Sequence, residues 1–397
     1  MRVAIDLLAV RSWGMKNYTA GVLPALAALA PASRFLVFLT PEIAALVRDL
    51  VPANMEIQTV RVGLAQRLLW EQTILPIRLR RWRADVLFAT FDIAPVLSPC
   101  PVLLAVRNPS PALMGPEGGS KTVPQSVAAH VHRLLSYVSC RRSRMVFYPT
   151  AFAADLLGDI MRVPASKRRV VFHGTDCSYF TQPRDGRAAL EQYGLERQKY
   201  VLYVSGFYPY KHPEVLVDAF HTFVQSAGRG FKLVLVGADL LIAKTKRVAE
   251  DRLRAQVSRL GLENDVIFAG QVPREHLAIL YQQAAAFVLP TVMETFGLIF
   301  VEAMASSVPV ICADMGFARE VCGDAALYFP PGDRAALAVH LAAVAHGGAP
   351  VDRMIEAGRA RASAFSWRRE AEGTLALLTE VVNGRAPAAS PSSGRSV

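Results

Sequence analysis

One alternation constrains this chain more than any other feature. A short apolar run closes on a glycine, proline or polar residue, a helical stretch follows, and the next apolar run begins. In the first half the apolar runs fall at 2–8, 34–40, 55–61, 85–89, 101–106, 144–149 and 169–173, with helical text near 18–30, 41–50, 64–82, 125–140 and 151–159. Residues 175–198 mix Asp, Gly, Pro, Gln and Arg and read as a connection with a short helix. The series then restarts with KYVLYVS (199–205) and continues through FKLVLVG (231–237), DVIFAG (265–270), AAAFVLP (284–290), VPVIC (308–312) and ALYF (326–329). Apolar runs without polar alternation are what strands buried on both faces look like. Parallel strands also need a crossover between them, so the order predicts parallel sheets wrapped by helices.

Two such series predict an α/β protein of two Rossmann-like domains facing a cleft. The expected boundaries are 1–180 for the first domain, 181–198 for a linker and 199–365 for the second domain. A terminal helix is expected over 366–384, and the Pro/Ser/Ala-rich tail 385–397 reads as disordered. A length of 397 residues suits two domains of ordinary size. No repeat occurs at a solenoid period.

Composition narrows the class. Hydrophobic residues make up 52% and charged residues 19%, which indicates a cored globular protein and excludes a disordered one. The five cysteines, Cys100, Cys140, Cys177, Cys312 and Cys322, are odd in number and scattered, without a Cys-x-x-Cys. That pattern predicts a reducing, cytoplasmic compartment and neither a disulfide scaffold nor a zinc site. The most apolar stretch, 20–40, is broken by Pro24, Pro31 and Arg34, so no membrane span is expected. The opening MRVAIDLLAV carries Asp6 inside its apolar run and reads as a first strand rather than a signal peptide.

The net charge of +11 is unevenly placed. Residues 1–185 hold 22 Lys and Arg against 12 Asp and Glu, and residues 186–397 hold 22 against 21. Basic clusters stand at Arg78–Arg83, Arg141–Arg144 and Lys167–Arg169. A solvated basic face and an anionic membrane surface or lipid-phosphate acceptor both fit. Nucleic acid is not an expected partner, because no binding motif or aromatic interleaving accompanies the charge.

The densest chemical text is PTVMETFGLIFVEAMASSVPV, residues 290–310. Glu294 sits on the loop after a predicted strand, and Glu302 lies about one turn into the helix that follows. In an open α/β sheet the crevice at the strands' carboxyl ends is where ligands bind. A helix beginning near Gly297–Leu298 would offer free N–H groups and a positive dipole end to a phosphate, and a nearby carboxylate can take sugar or ribose hydroxyls. The competing explanation is plain helix chemistry, since Glu in a first turn favours the dipole.

The stretch EAMASSVPVICADMGFAREVCGDAALYFPPGD (302–333) resembles the donor-binding segment of glycosyltransferase family 4, where two glutamates with seven residues between them precede Ala-Met-Ala, a small residue and Pro-Val. The resemblance runs over most of 1–380 and is strongest at 200–330. It implies a GT-B fold and transfer, with retention of anomeric configuration, from a nucleotide diphosphate sugar to a glycan or lipid-linked acceptor in cell-surface polysaccharide assembly. The donor is a substrate, and the resemblance implies no further cofactor or metal. It assigns sugar hydroxyls to Glu294, ribose hydroxyls to Glu302 and the diphosphate to Lys211 and the amides of Phe296, Gly297, Leu298 and Ile299. Ser205 and Gly206 lie on the loop leading to Lys211, and Val272 lies where family members hold the base through backbone groups. A fixed cation at Lys211 answers a physical need, because the leaving diphosphate gains negative charge as the sugar–oxygen bond breaks.

Three departures accompany the likeness. Many members carry an arginine shortly before the lysine, and here the stretch is Ser205-Gly206-Phe207. RSWGMKNYTAG resembles the family's glycine-rich loop after strand one but keeps only Gly14 and Tyr18, with Met15, Lys16 and Asn17 between. Gly14 would let backbone approach a ligand, and Lys16 would add charge toward phosphate or acceptor. Where many members place a histidine near the transferred sugar, this chain reads Arg107-Asn108-Pro109. Asn108 could bond a sugar hydroxyl and Arg107 an anionic group, or both could serve the turn before Pro109. His173-Gly174-Thr175-Asp176 resembles the segment entering the family's hinge, and the resemblance implies that the helix over 366–384 crosses back to the first domain.

Other chemistries find no footing. His130 and His132 are two apart on a helix and point to different faces. No His/Asp/Glu cluster has metal spacing and no Asp-x-Asp occurs, so no metal site is expected. Neither a hydrolase elbow nor a Walker loop is present. Two alternatives stay open beside the transferase: a nucleotide-sugar-binding partner subunit without catalysis, and an epimerase or phosphorylase on the same fold.

Overall fold

The computed structural model describes residues 1–10, 13–107, 127–226, 230–237 and 246–384. Two compact units divide the chain. One comprises Met1–Gly174 together with the segment from Trp367 onward, and the other comprises Thr175–Ser366.

The first unit is built on strands β1 (Arg2–Asp6), β2 (Arg34–Leu39), β3 (Met55–Thr59), β4 (Val86–Ala89), β5 (Val102–Ala105), β6 (Met145–Tyr148) and β7 (Arg168–Val170). All pair in parallel, in the order β3-β2-β1-β4-β5-β6-β7. Successive side chains go to opposite faces. Val3 and Ile5 join one apolar layer and Ala4 the other; Phe35 and Val37 join the first, Leu36 and Phe38 the second. A strand that must supply both layers has no polar position to spare, which is why these strands read as unbroken apolar runs.

The first layer is covered by α1 (Trp13–Leu29), α2 (Pro41–Val47) and α15 (Trp367–Asn383). Helix α15 packs on α1, where a Cβ at Gly21 would sit 2.2 Å from the Trp367 ring. The second layer is covered by α3 (Leu64–Trp82), α4 (Val127–Arg142) and α5 (Ala151–Ile160). Helix α1 starts five residues before the expected 18. Gly14 suggested a loop, but Met15, Tyr18 and Val22 recur at helical spacing and all reach the core.

The second unit holds β8 (Tyr200–Val204), β9 (Lys232–Val236), β10 (Val266–Gly270), β11 (Ala286–Leu289), β12 (Val310–Ala313) and β13 (Ala326–Phe329) in the parallel order β10-β9-β8-β11-β12-β13. Its helices are α6 (Cys177–Thr181), α7 (Arg187–Tyr193), α8 (Pro213–Ser226), α9 (Lys246–Arg259), α10 (Arg274–Gln283), α11 (Leu298–Ala305), α12 (Gly316–Cys322), α13 (Arg334–His346) and α14 (Ala349–Ala362). Within 181–198, helix α7 buries Ala189 and Leu190.

Counted within its own unit, each sheet runs third, second, first, fourth, fifth, sixth, and the first sheet adds a seventh strand beyond the sixth. That is the doubly wound order, with a switch point between first and fourth strands where the connections leave in opposite directions and open a crevice. The switch points are β1/β4 and β8/β11.

Candidate functional site

The loops leaving β8 and β11 rise side by side from the second switch point. After β8 the chain passes Ser205 and Gly206, makes a 3-10 turn over Pro209–Lys211 and enters α8. After β11 it passes Pro290 and Glu294 and enters α11 at Leu298. The buried Thr291 stitches the loops together, its hydroxyl donating to the Tyr210 carbonyl at 3.1 Å, and the Val292 N–H donates to the same carbonyl at 3.0 Å. This brings the Lys211 ammonium onto the Glu294 carboxylate in a short ion pair. The lysine side chain is 9% exposed and the glutamate 21%, so the cation is shielded while the anion keeps an open edge.

Gly297 caps α11 with φ of 85°, a left-handed conformation, and a Cβ there would lie 2.6 Å from the Phe300 ring. Both the conformation and the contact demand glycine. Among the described residues no side chain caps this end. Leu298 and Ile299 are the first residues of the helix, so their N–H groups have no carbonyl a turn earlier in it, and the dipole's positive end is uncovered. Phe296 is buried, with its ring edge-on to Phe365 at 5.4 Å.

Glu302 lies on the second turn of α11. Tyr281 on α10 donates its hydroxyl to Oε2 at 3.4 Å. Burial pushes the Glu302 carboxyl up to about 7, opposed by the nearby Arg274 and by the tyrosine. Arg274 opens α10 directly after Val272-Pro273, and its guanidinium stands 3.9 Å from the Tyr179 ring centroid and 3.4 Å from Asp176. Val272 follows β10, two strands from β8, on the same carboxyl edge. Lys211, Glu294, Gly297–Ile299, Glu302, Ser205, Gly206 and Val272 therefore gather along one rim of one sheet.

Phe207 is buried, with its ring stacked on Tyr203 at 6.3 Å and edge-on to Phe268 at 6.1 Å. The loop position where a second cation was sought is thus committed to packing. Sequence reasoning missed Thr291, Tyr281 and Arg274. Arg274 had a signal, a cation two residues past Val272 at a helix start, whereas the other two act through contacts between elements.

The candidates in the first unit lie apart from this cluster in the chain and are differently engaged. Gly14 is exposed in the first turn of α1, and a Cβ there would meet nothing within 4 Å. Lys16 pairs with Glu42 of α2 at 2.5 Å. Arg107, expected to face an anion or a turn, lies 3.7 Å from the Tyr18 ring centroid, donates to the Tyr18 hydroxyl and sits 3.6 Å from Glu370. Glu370 is buried and accepts from the Gly174 N–H at 2.7 Å, with His173 Nδ1 at 3.1 Å. Arg107 thereby ties α15 to the first sheet. Asn108 lies outside the described residues. No group of three or more His, Cys, Asp or Glu suited to a metal occurs among the described residues.

Residues 187–361 match the family described as glycosyl transferases group 1. The O-antigen chain mannosyltransferase B of Escherichia coli is 31% identical over 228 residues, covering 57% of this chain and 58% of that protein. The D-inositol 3-phosphate glycosyltransferase of Nocardia farcinica is 29% identical over 299 residues, covering 74% and 61%. The chain spans about half the length of the curated relatives it matches first. Among solved structures, Anabaena HepE in complex with UDP and glucose superposes with a TM-score of 0.74 at 21% identity, covering 96% of this chain and all of that one. WaaG, a glycosyltransferase involved in lipopolysaccharide biosynthesis, gives 0.70 at 14%, covering 96% and 100%. At these identities the likeness establishes the fold, two parallel-sheet α/β units of the GT-B type.

Proposed function

We propose that this chain is a glycosyltransferase of the group 1 family, whose description residues 187–361 match, and that it moves a hexose from a nucleotide diphosphate sugar to a glycan or lipid-linked acceptor in polysaccharide assembly, retaining the donor's anomeric configuration and needing no metal. The observation that carries the proposal is the shielded Lys211 beside Glu294 and the uncapped start of α11 at the β8/β11 switch point. A diphosphate seated there meets an ammonium and two helix-terminal amides, the groups that answer charge growing on a leaving phosphate.

The Lys211–Glu294 pair acts as a preset lock. The incoming diphosphate takes over the ammonium, and the released carboxylate turns its acceptor oxygens to the sugar hydroxyls. Glu302, once ionised, accepts from the ribose hydroxyls. Backbone groups around Val272 receive the base. The relatives support this reading through their printed activities, O-antigen mannosyl transfer and D-inositol 3-phosphate glycosyl transfer.

The test pairs a thermal-shift panel of nucleoside diphosphates and their sugars with a transfer assay in chelator. Stabilisation by one nucleoside diphosphate, lost in Lys211→Ala, is expected, together with turnover that survives chelation. Absence of any stabilisation across the panel overturns the donor assignment. The buried Phe207 favours a second reading, a binding subunit without turnover, because the loop supplies one cation. Donor binding with no transfer or donor hydrolysis would select it.

A further inference from the structure

The structure separates the three basic clusters of the first unit. Lys167–Arg169 is consumed internally: Lys167 donates to the Arg141 and Ser143 carbonyls, Arg168 pairs with Asp159 at 2.7 Å, and Arg169 with Glu380 at 2.9 Å. Arg78, Arg80 and Arg81 on α3 are exposed, and no described group pairs with them. Arg133, Arg141 and Arg142 are exposed on α4.

These two helices flank the segment Ala94–Val96. Gln72 on α3 donates to the Ala94 carbonyl and accepts from the Val96 N–H, at 3.1 and 2.9 Å. From the other side Ser139 on α4 accepts from the Ala94 N–H at 3.0 Å, and Arg142 donates to the Val96 carbonyl at 3.1 Å. Helix α3 packs inward through Arg67, Glu71, Leu75 and Leu79, and α4 through Ser136, Ser139 and Cys140. Their outward turns carry aliphatic side chains: Leu69 is 66% exposed, Leu134 is 61% exposed, and Leu97 between the helices is 75% exposed. Ile74, Ile77 and Val131 add to them. The only acid on either helix is Glu71, and it is buried.

We infer that this α3/α4 face docks on an anionic lipid bilayer, with aliphatic side chains entering the headgroup–acyl boundary and the arginines meeting lipid phosphates. A protein partner of ordinary composition would bring carboxylates or apolar area, but isolated aliphatics set among arginines with no described acid partner, on two helices with no exposed acid, complement an anionic interface. An open cavity of about 360 Å³ at the edge of this face, lined by His130, Arg133, Leu134, Tyr137, Met161 and Arg162, offers two guanidiniums to a headgroup phosphate. Among the described residues no helix is long and apolar enough to cross a membrane.

The experiment is co-sedimentation with phosphatidylcholine vesicles, with and without phosphatidylglycerol, read in the absence of any sugar donor. The wild type should bind the anionic vesicles at least about tenfold more strongly than the neutral ones, with losses on the order of fivefold for each arginine removed. Leu69→Glu combined with Leu134→Glu should reduce binding about tenfold or more. Arg133→Ala with Arg162→Ala should weaken anionic binding alone. Retained thermal response to nucleoside diphosphate in each variant shows that the second unit is folded, and a circular dichroism melt reports the first. Equal partition on both vesicle types overturns the inference, as does wild-type binding by the Leu69/Leu134 variant. A concentration-dependent dimer lost in that variant would assign the face to a second copy and also overturn it.

Discussion

The two switch points share a strand order and differ in what fills them. At β8/β11 the crevice holds one ion pair with an open edge and an uncapped helix start. At β1/β4 the corresponding space is closed by the protein's own polar side chains. Leu8 N–H donates to the Asp6 carboxylate at 3.0 Å, and the Thr90 hydroxyl donates to the Asp6 carbonyl at 2.6 Å. Ser136 donates to Asp92, and Arg67 stands 3.5 Å from Glu71 on the buried side of α3. Among the described residues Arg67 Nε and Glu71 Oε2 have no hydrogen-bond partner. Topology thus offers a crevice twice and side chains decide whether it can take a ligand, which is why strand order alone does not assign function.

The sharpest way to break this contrast is to remove the cation from the open crevice. Lys211→Ala should lower turnover by at least about tenfold, since charge-assisted bonds are worth roughly 1.5–3 kcal/mol. Unchanged steady-state kinetics would mean the crevice is as idle as the closed one. Glu294→Gln should act through turnover more than through nucleoside diphosphate affinity, because its assigned target is the sugar, and calorimetry with the diphosphate lacking the sugar separates the two.

Glu302 supplies the next effect. Its carboxyl is held up to about 7 by burial, so protonation competes with hydroxyl binding below that pH and is relieved above it. Nucleoside diphosphate affinity should therefore rise from pH 6 to pH 8 by up to about tenfold, the change in ionised fraction around such a group. Glu302→Gln should weaken binding at pH 8 by about tenfold. It should also remove the component of the pH slope that belongs to the enzyme, leaving that of the ligand phosphate. Identical slopes in the two proteins, measured by calorimetry, would detach Glu302 from the ribose.

The layers and the open crevice were legible because they depend on local pattern. Apolar runs mark doubly buried strands, and the Glu294–Glu302 spacing around Gly297 marks a strand–loop–helix start whatever surrounds it. The closed crevice was not legible. Glu71 reads as one more exposed acid on a helix dense in arginine, and only the packing of α3 against β1 turns it inward. The Arg107 contact with Glu370 was illegible for the same reason, since Glu370 arrives on the last helix. Gly14 misled in the opposite direction, because a glycine before a tyrosine reads as a loop until Met15 and Tyr18 are seen to pack.

The closed crevice makes its own prediction. Burial, with Asp6 alongside, pushes Glu71 up to about 9, opposed by Arg67. A carboxyl that keeps its proton in the fold but loses it when unfolded stabilises fully below the unfolded value and loses that contribution as pH rises through the folded one. The melting temperature should thus fall between pH 5 and pH 9. Glu71→Gln should flatten the decline by a few degrees at the alkaline end, the scale of about 1 kcal/mol in a unit of this size. A parallel decline in wild type and variant, by calorimetry, would mean that the cluster takes in water and titrates normally.

The smallest expected effect tests the boundary between the two kinds of crevice. Gly14 has an ordinary helical conformation and open space around its Cα, and Lys16 is held in a pair whose partner is 72% exposed. Gly14→Ala should leave stability within about 0.5 kcal/mol or raise it slightly, because alanine costs a helix less than glycine. Lys16→Ala should cost no more than about 1 kcal/mol, as exposed pairs do. If α1 serves only as a cover for the first sheet, neither change alters kcat or the acceptor KM. A selective rise in acceptor KM in Gly14→Ala, with melting unchanged, would instead show that substrate approaches this backbone, and the first unit would then bind through its helix start while its crevice stays filled.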